Sequence, residues 1–361
     1  MSEPVSLDEI MTPAAIVDVN TMAANLDSMA AYTAQHQLQL WPHTKTHKTP
    51  EFAREQIKRG ARGVTVATLH EAEVMSEVAD DLLIAYPPVG KPKLRRLAAL
   101  GERKRVTIAL DSREVLEEVR ASGAQVSVLV EIDAGMHRVG VITPDRAVDL
   151  ARVIADTPGL QYAGMMFYPG HIREDVNAQK PAIDSTATHV AAFVDALTAA
   201  GLPPKRVSGG STPTASNSHL MHGINEIRPG TYIFNDRTTA AVGACQWSDC
   251  AYTILATVVS TSIPGQVAVD AGSKALSRED IRGADAPGFG ALLDRPDVYV
   301  KALSEEHGLL DVSHTNWRPR VGERVRIVPN HVCVSVNLQP RLWLLDRERL
   351  VGSYVVRARG W

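Results

Sequence analysis

The apolar residues of this chain follow two different rhythms. Over the first two thirds, short runs that are apolar on both faces alternate with longer stretches that are apolar on one face only. The runs cover residues 38–41, 64–67, 82–85, 106–110, 126–131, 162–167, 206–208 and 226–228. Strands of a parallel sheet covered by helices carry that pattern. The stretches between them, residues 21–36, 50–59, 69–78, 91–100, 113–121, 145–156 and 186–200, have helical periodicity. Punctuation agrees: Asn20 can cap the first helix, and Gly60, Gly101, Gly123 and Gly201 each follow a helix as a stop signal. Eight such units in roughly 220 residues predict a (β/α)8 TIM barrel, with a doubly wound sheet as the alternative.

The rhythm changes near Cys250. Period-two runs at 252–260, 266–270, 298–302, 324–327 and 342–345 follow one another, broken by Gly, Pro and Asp turns. They predict a C-terminal all-β domain, which the apolar run at 14–19 is placed to join. The expected division is 18–242 for the barrel, with 1–17 and 243–361 for the β-domain.

Composition narrows the classes. The chain has 361 residues, 45% hydrophobic and 22% charged, with a formal net charge of −3, so nothing points to nucleic acid or an anionic membrane as partner. The start, MSEPVSLDEIMTP, lacks a basic segment followed by an apolar run, and no stretch approaches the roughly 20 apolar residues of a membrane span. Three cysteines, Cys245, Cys250 and Cys333, form no framework spacing, so reduced thiols in a cytoplasm are expected.

Candidate chemistry gathers where the runs end. Trp41-Pro-His-Thr-Lys-Thr-His-Lys48 follows the first barrel strand, at the end where barrels carry catalytic groups. A lysine crowded by cations and partly desolvated, such as Lys45, is a competent amine for a Schiff base; a basic surface loop is the plain alternative. His47 and Lys48 read as packing and helix-entry residues. Glu131-Ile-Asp-Ala-Gly-Met-His-Arg-Val-Gly140 follows the fifth strand, where Glu131 and Asp133 suit either a polar site wall or a satisfied ion pair. Ser208-Gly-Gly-Ser-Thr212 has the glycines and following helix N-terminus that suit an anion, although many βα turns look alike. In Pro329-Asn-His-Val-Cys-Val-Ser, a strand would put His331 and Cys333 on one face; on spacing alone they read as a buried cysteine beside a chance histidine.

The run WPHTKTHK, following TPAAIVDVNTMAANL, resembles the cofactor segment Pro-His-x-Lys-x-x-Lys of the fold-type III pyridoxal-phosphate enzymes, in the D-threonine aldolase and D-serine dehydratase branch. The resemblance extends over essentially the whole chain and implies an alanine-racemase-like barrel plus a β-domain. It implies Lys45 as the lysine that bonds pyridoxal 5'-phosphate. It further implies Arg138 near the cofactor's phenolic oxygen, Tyr168 near its ring, and Ser208, Gly209, Gly210, Ser211 and Thr212 at its phosphate. Tyr232 is expected to complete that pocket or to be a core tyrosine, and His171 is a candidate base. The same resemblance makes His331 and Cys333 the ligands of a divalent metal, zinc fitting the donors best with manganese or magnesium as alternatives. His307, in Glu305-Glu-His-Gly308, is expected either near that metal or in a structural role.

The expected activity is therefore a metal-assisted lyase acting on a small D-β-hydroxy amino acid. Aldolase cleavage to glycine and an aldehyde is the leading form. Dehydration by a D-serine or D-threo-3-hydroxyaspartate dehydratase is the alternative, because Cys333 stands where the aldolases of the branch carry Asp. An amino-acid racemase, needing no metal, is a further alternative. A homodimer is implied by the resemblance alone.

Overall fold

A computed structural model describes residues 6–361. It divides into two compact units. One comprises the chain up to Ser28, Thr46–Lys48 and Thr231–Arg357; the other comprises Met29–Lys45, Thr49–Gly230 and Ala358–Trp361.

The chain enters the first unit with β1 (Ala14–Asp18) and the helix Val19–Gln35. Asp18, not Asn20, caps that helix, its carboxylate accepting from the Asn20 and Thr21 N–H groups. The barrel strands are β2 (Gln39–Leu40), β3 (Val64–Val66), β4 (Asp81–Ile84), β5 (Arg105–Leu110), β6 (Val126–Glu131), β7 (Leu160–Met166), β8 (Arg206–Gly209) and β9 (Glu226–Ile227). All neighbouring pairs are parallel, in the order β2-β9-β8-β7-β6-β5-β4-β3. A further parallel bridge, His43 to Thr65, joins the segment after β2 to β3 and closes the ring.

Alternation explains why the strands are apolar on both faces. Leu82 and Ile84, Ile108 and Leu110, and Val128 and Val130 pack into the large core shared with the helices. The residues between them, Leu83, Ala109 and Leu129, gather with Trp41 and Met166 into a separate inner cluster. On β8 and β9 the inner positions are charged or polar instead: Arg206, Ser208 and Glu226 are partly or fully buried. Arg206 makes two bonds to Glu226 and lies 4.2 Å over the Trp41 ring.

The β-domain holds nine strands: β1 with β10 (Tyr252–Ser260), β11 (Gln266–Val269), β12 (Gly290–Leu292), β13 (Arg295–Leu303), β14 (Gly308–Asp311), β15 (Arg324–Pro329), β16 (Arg341–Asp346) and β17 (Arg349–Val355). Their order is β11-β14-β13-β12-β15-β10-β1-β16-β17, and β10 also pairs with β11. The N-terminal strand does join this sheet, between β10 and β16. Among the described residues no helix is long and apolar enough to cross a membrane.

One glycine is demanded by the barrel itself. The β6–β7 register slips between Val128 and Leu129, and Gly164 takes φ +135° at the slip. A Cβ there would lie 2.1 Å from the Arg206 carbonyl oxygen on β8. Gly164→Ala is therefore expected to destabilise the fold by at least about 2 kcal/mol. Urea unfolding measures this as a lower midpoint at unchanged slope; an unmoved midpoint would mean that the strands yield without cost.

Candidate active site

The inner positions at the C-terminal ends of β6 to β9 carry charge. Glu131, two residues past Leu129, is buried, and so is Arg228, two residues past Glu226. The Arg228 guanidinium donates to Ser208 Oγ (2.6 Å) and to the Phe167 carbonyl (2.6 Å). Burial pulls Arg228 down to about 10, against the opposing charges of Glu131 and Glu226. Burial likewise pushes Glu131 up to about 7, opposed by Arg228 and Arg138. The two groups thus share one desolvated environment.

The lysine segment is fixed from the strand outward. Trp41 N–H donates to the Ile227 carbonyl, His43 N–H to the Pro229 carbonyl, and Thr44 Oγ1 to the Thr65 carbonyl. Lys45 follows in the short 3-10 turn Thr44–Thr46 and is exposed. The expected crowding and partial desolvation are not found. His47 is buried with its ring against Phe234, and Lys48 takes φ +53° before the helix Pro50–Lys58. A turn that alternates buried and outward side chains scatters residues that are adjacent in sequence.

The loop after β6 folds around Asp133, whose carboxylate accepts from the Gly135 and His137 N–H groups and from His137 Nδ1. Burial would raise this carboxyl, but those bonds hold it below its ordinary range. Asp133 is an anchor, and the loop it shapes places the Arg138 guanidinium 5.2 Å over the Tyr168 ring. His171 sits against Gly135, where a Cβ would come within 3.0 Å of the imidazole. Its Nδ1 is buried with no hydrogen-bond partner, and burial holds His171 below its ordinary value against the pull of Glu174 and Asp133.

After β8, Gly209, Gly210, Ser211 and Thr212 are all buried, and Gly210 has φ +82°. The expected helix N-terminus is absent. A six-residue 3-10 helix, Ala215–Leu220, follows, and the Ser211 N–H is already bonded to Thr214 Oγ1 (3.1 Å). The Ser, Thr and Asn side chains of this segment compete with the backbone for hydrogen bonds. Tyr232 is buried in the 3-10 turn Thr231–Ile233, within the unit that holds the β-domain. The barrel residues fit a phosphorylated aldehyde of the pyridoxal type. They offer an exposed amine, a half-buried phenol under a guanidinium, a hydroxyl-bearing Gly-Gly turn and an unpartnered imidazole nitrogen.

His331 and Cys333 do not lie on a strand. β15 ends at Pro329, His331 is the extended N-cap, and Cys333 stands in the first turn of the helix Val332–Leu338. The β-branched run Val-Cys-Val-Ser-Val suggests a strand, but its context imposes a helix. The bend at the cap still brings the side chains within hydrogen-bonding reach. Asp236, fully buried, accepts from His331 Nδ1 (3.1 Å) and from the Val332 N–H (3.1 Å), and its other oxygen accepts from Thr239. Thr46 Oγ1 lies 3.2 Å and Thr231 Oγ1 3.9 Å from Cys333 Sγ. Burial would lower His331, but the charges of Cys333 and Asp236 and its bonds to them hold it well above its ordinary value. An imidazole oriented by a carboxylate beside a thiol fits a borderline-soft divalent cation. Among the described residues no group of three or more His, Cys, Asp or Glu side chains is set to hold a metal, so protein donors alone would leave coordination positions open. His307 is exposed in the turn between β13 and β14, its carbonyl accepting from Ser304.

Sequence reasoning missed Arg228 and Asp236. Each stands in Arg228-Pro-Gly-Thr-Tyr-Ile-Phe-Asn-Asp236, and the one signal was a pair of charged residues flanking an otherwise apolar turn.

Comparison with known proteins gives the same architecture. The Alanine racemase, N-terminal domain family matches residues 17–238, and a serine dehydratase domain matches residues 251–345. The chain is 29% identical to a D-threonine aldolase of Arthrobacter sp, over 98% of this chain and 94% of that one. It is 32% identical to a D-threo-3-hydroxyaspartate dehydratase of Delftia sp. (strain HT23), over 97% and 98%. The solved D-threonine aldolase of Filomicrobium marinum superposes with a TM-score of 0.91 at 32% identity, covering 99% of this chain and 98% of that one. A cysteine-to-alanine variant of the D-threo-3-hydroxyaspartate dehydratase, solved in its metal-free form, gives 0.89 at 29%, covering 99% and 100%.

The buried carboxyl makes stability depend on pH. Folded Glu131 holds its proton more tightly than the unfolded chain does, so stability falls as pH rises from about 4.5 to about 7 and then levels. Glu131→Gln mimics the protonated form. It is expected to stabilise the protein by roughly 3 kcal/mol at pH 8, a gain that vanishes below pH ~4.5. Urea midpoints at both pH values read this; an equal effect at both would refute it.

Proposed function

The chain belongs to the family that joins an alanine racemase N-terminal domain to a D-serine dehydratase domain, and from that premise we propose that it is a pyridoxal-phosphate- and divalent-metal-dependent lyase acting on D-β-hydroxy amino acids, with aldolase cleavage to glycine and an aldehyde as its reaction. The observation that carries the reading is the His331–Cys333 pair with Asp236 bonded behind the imidazole. A racemase has no use for such a centre. The metal-free form of a relative's cysteine variant is in keeping with a cysteine ligand.

Pyridoxal phosphate, when bound, supplies a sink for the electrons left on the substrate's α-carbon, and the cation supplies Lewis acidity at the β-hydroxyl. Lys45 would hold the cofactor, its exposed ε-amine bonding the aldehyde carbon. Arg138 and Tyr168 would line the ring, and Ser208 to Thr212 would hold the phosphate. Arg228 keeps Ser208 Oγ and the Phe167 carbonyl in place, so the turn does not have to reorganise. His331 and Cys333 would hold the cation, and Asp236 fixes which imidazole nitrogen faces it. Cleavage of Cα–Cβ needs a base for the hydroxyl proton, and neutral His171 with its unpartnered Nδ1 is suited to accept one. Dehydration instead needs the α-proton removed, for which the Lys45 amine is the available group. Cys333, where aldolases of the branch carry Asp, keeps that second reading open.

D-threonine discriminates the two. Glycine and acetaldehyde are expected, whereas 2-oxobutyrate and ammonia would establish the dehydratase. Lys45→Ala is expected to lose on the order of 10³-fold or more in turnover. EDTA should abolish activity, and added zinc or manganese should restore it. Full activity in EDTA, or in Lys45→Ala, would end the proposal.

A further inference from the structure

Cys245 and Cys250 flank the short 3-10 turn Trp247–Asp249 in the segment that leads into β10. Their thiols share a hydrogen bond. Cys245 is half-buried and also donates to Thr239 Oγ1 (3.6 Å), while Cys250 is buried. Thr239 is the capping-box partner of Asp236: its hydroxyl oxygen accepts from the Asp236 N–H, and its own N–H donates to Asp236 Oδ1. The other oxygen of Asp236 holds His331. An unbroken run of contacts therefore leads from Cys250 through Cys245, Thr239 and Asp236 to His331, all inside one unit. Neither cysteine has a place in the proposed chemistry.

We infer that Cys245 and Cys250 form a reversible dithiol–disulfide site, oxidised by a peroxide, and that closing the bond loosens the cation at His331. This second half rests on the metal reading above. The chemistry balances with hydrogen peroxide as the oxidant. The Cys245 sulfur attacks one peroxide oxygen and the O–O bond breaks; the other oxygen leaves as water, taking the thiol proton. Cys245 is then a sulfenic acid. The Cys250 sulfur displaces its hydroxyl, which leaves as a second water with the Cys250 proton, and the S–S bond forms. Two thiols lose two electrons and the peroxide gains them. Cys245, the less buried thiol, meets the oxidant. Cys250, pushed up by its bond to Cys245 and by burial, keeps its proton in reserve as the resolving partner. The disulfide removes the S–H donor from Thr239 and draws the loop toward Cys250. Thr239 is then free to shift, and with it the Asp236 carboxylate that fixes the imidazole.

The test uses zinc-loaded full-length protein, treated with hydrogen peroxide, alkylated, and digested with trypsin. Cys245 and Cys250 fall in one tryptic peptide, 238–274, and Cys333 falls in another, 327–341. Peptide 238–274 is expected to lose two hydrogens and both alkylation sites. The zinc dissociation constant should rise about tenfold, the low end of what outer-shell partners contribute, and dithiothreitol should reverse it. Cys250→Ala should block both changes. Two alkylatable thiols surviving in 238–274 would overturn the site. A disulfide with unchanged zinc affinity would overturn the coupling, as would equal zinc loss in Cys250→Ala, which would place the damage at Cys333. If the reduced protein takes up no zinc, the metal reading fails and the coupling with it, while the mass of 238–274 still decides the disulfide.

Discussion

The barrel end that carries the candidate site is organised by one buried guanidinium. Arg228 emerges just past β9, bonds to Ser208 on β8 and to the carbonyl of Phe167 just past β7, and faces Glu131 at the end of β6. These are four neighbouring strands in the sheet order. A desolvated cation cannot leave its donors unpaired without a cost of several kcal/mol. Its partners are therefore held where it needs them, and the residues next to those partners are Tyr168 and the Gly209–Gly210 turn. One residue sets the spacing of groups that come from three separate βα units.

The β-domain solves the same problem with the opposite charge. Asp236 is fully buried and uses both oxygens, one on the Thr239 cap and one on His331 and Val332. The cap makes the carboxylate rigid, and the carboxylate makes the imidazole rigid. A ligand held in this way loses little freedom when it binds a cation, which is the physical content of preorganisation. In both units the reactive side chains are modest in number, and the groups behind them are the better buried.

How far the sequence revealed this follows from the range of each interaction. The barrel was legible because every strand repeats one local rule, apolar on both faces with a stop after each helix; Gly60, Gly123 and Gly201 do stand at positive φ. The Lys45 motif was legible because its residues are contiguous. The helix at Val332–Leu338 was not, since Val-Cys-Val-Ser-Val satisfies strand periodicity and only the capped turn after Pro329 overrides it. Asp236 and Arg228 were least legible. Asp236 meets His331 across 95 positions, and Arg228 meets Phe167 across 61, so no local pattern contains either contact.

Stability alone does not explain why charge is kept inside this barrel. The inner face is apolar on the side of Leu83, Ala109, Leu129 and Met166, and continuing that pattern across β8 and β9 would have filled the same space. Replacing a buried ion pair by packed apolar groups is often neutral or stabilising by about 1–4 kcal/mol. Glu131 is raised to about 7, so its environment resists the charged form and the fold is strained electrostatically at neutral pH. A hydrophobic plug would relieve that strain, but it could not direct hydrogen bonds to Ser208 Oγ and the Phe167 carbonyl. What the buried charges contribute is direction: fixed dipoles at the strand ends, in place before any ligand arrives. Electrostatic preorganisation of that kind is where enzymes gain most of their rate, and it is obtained by accepting a less stable core.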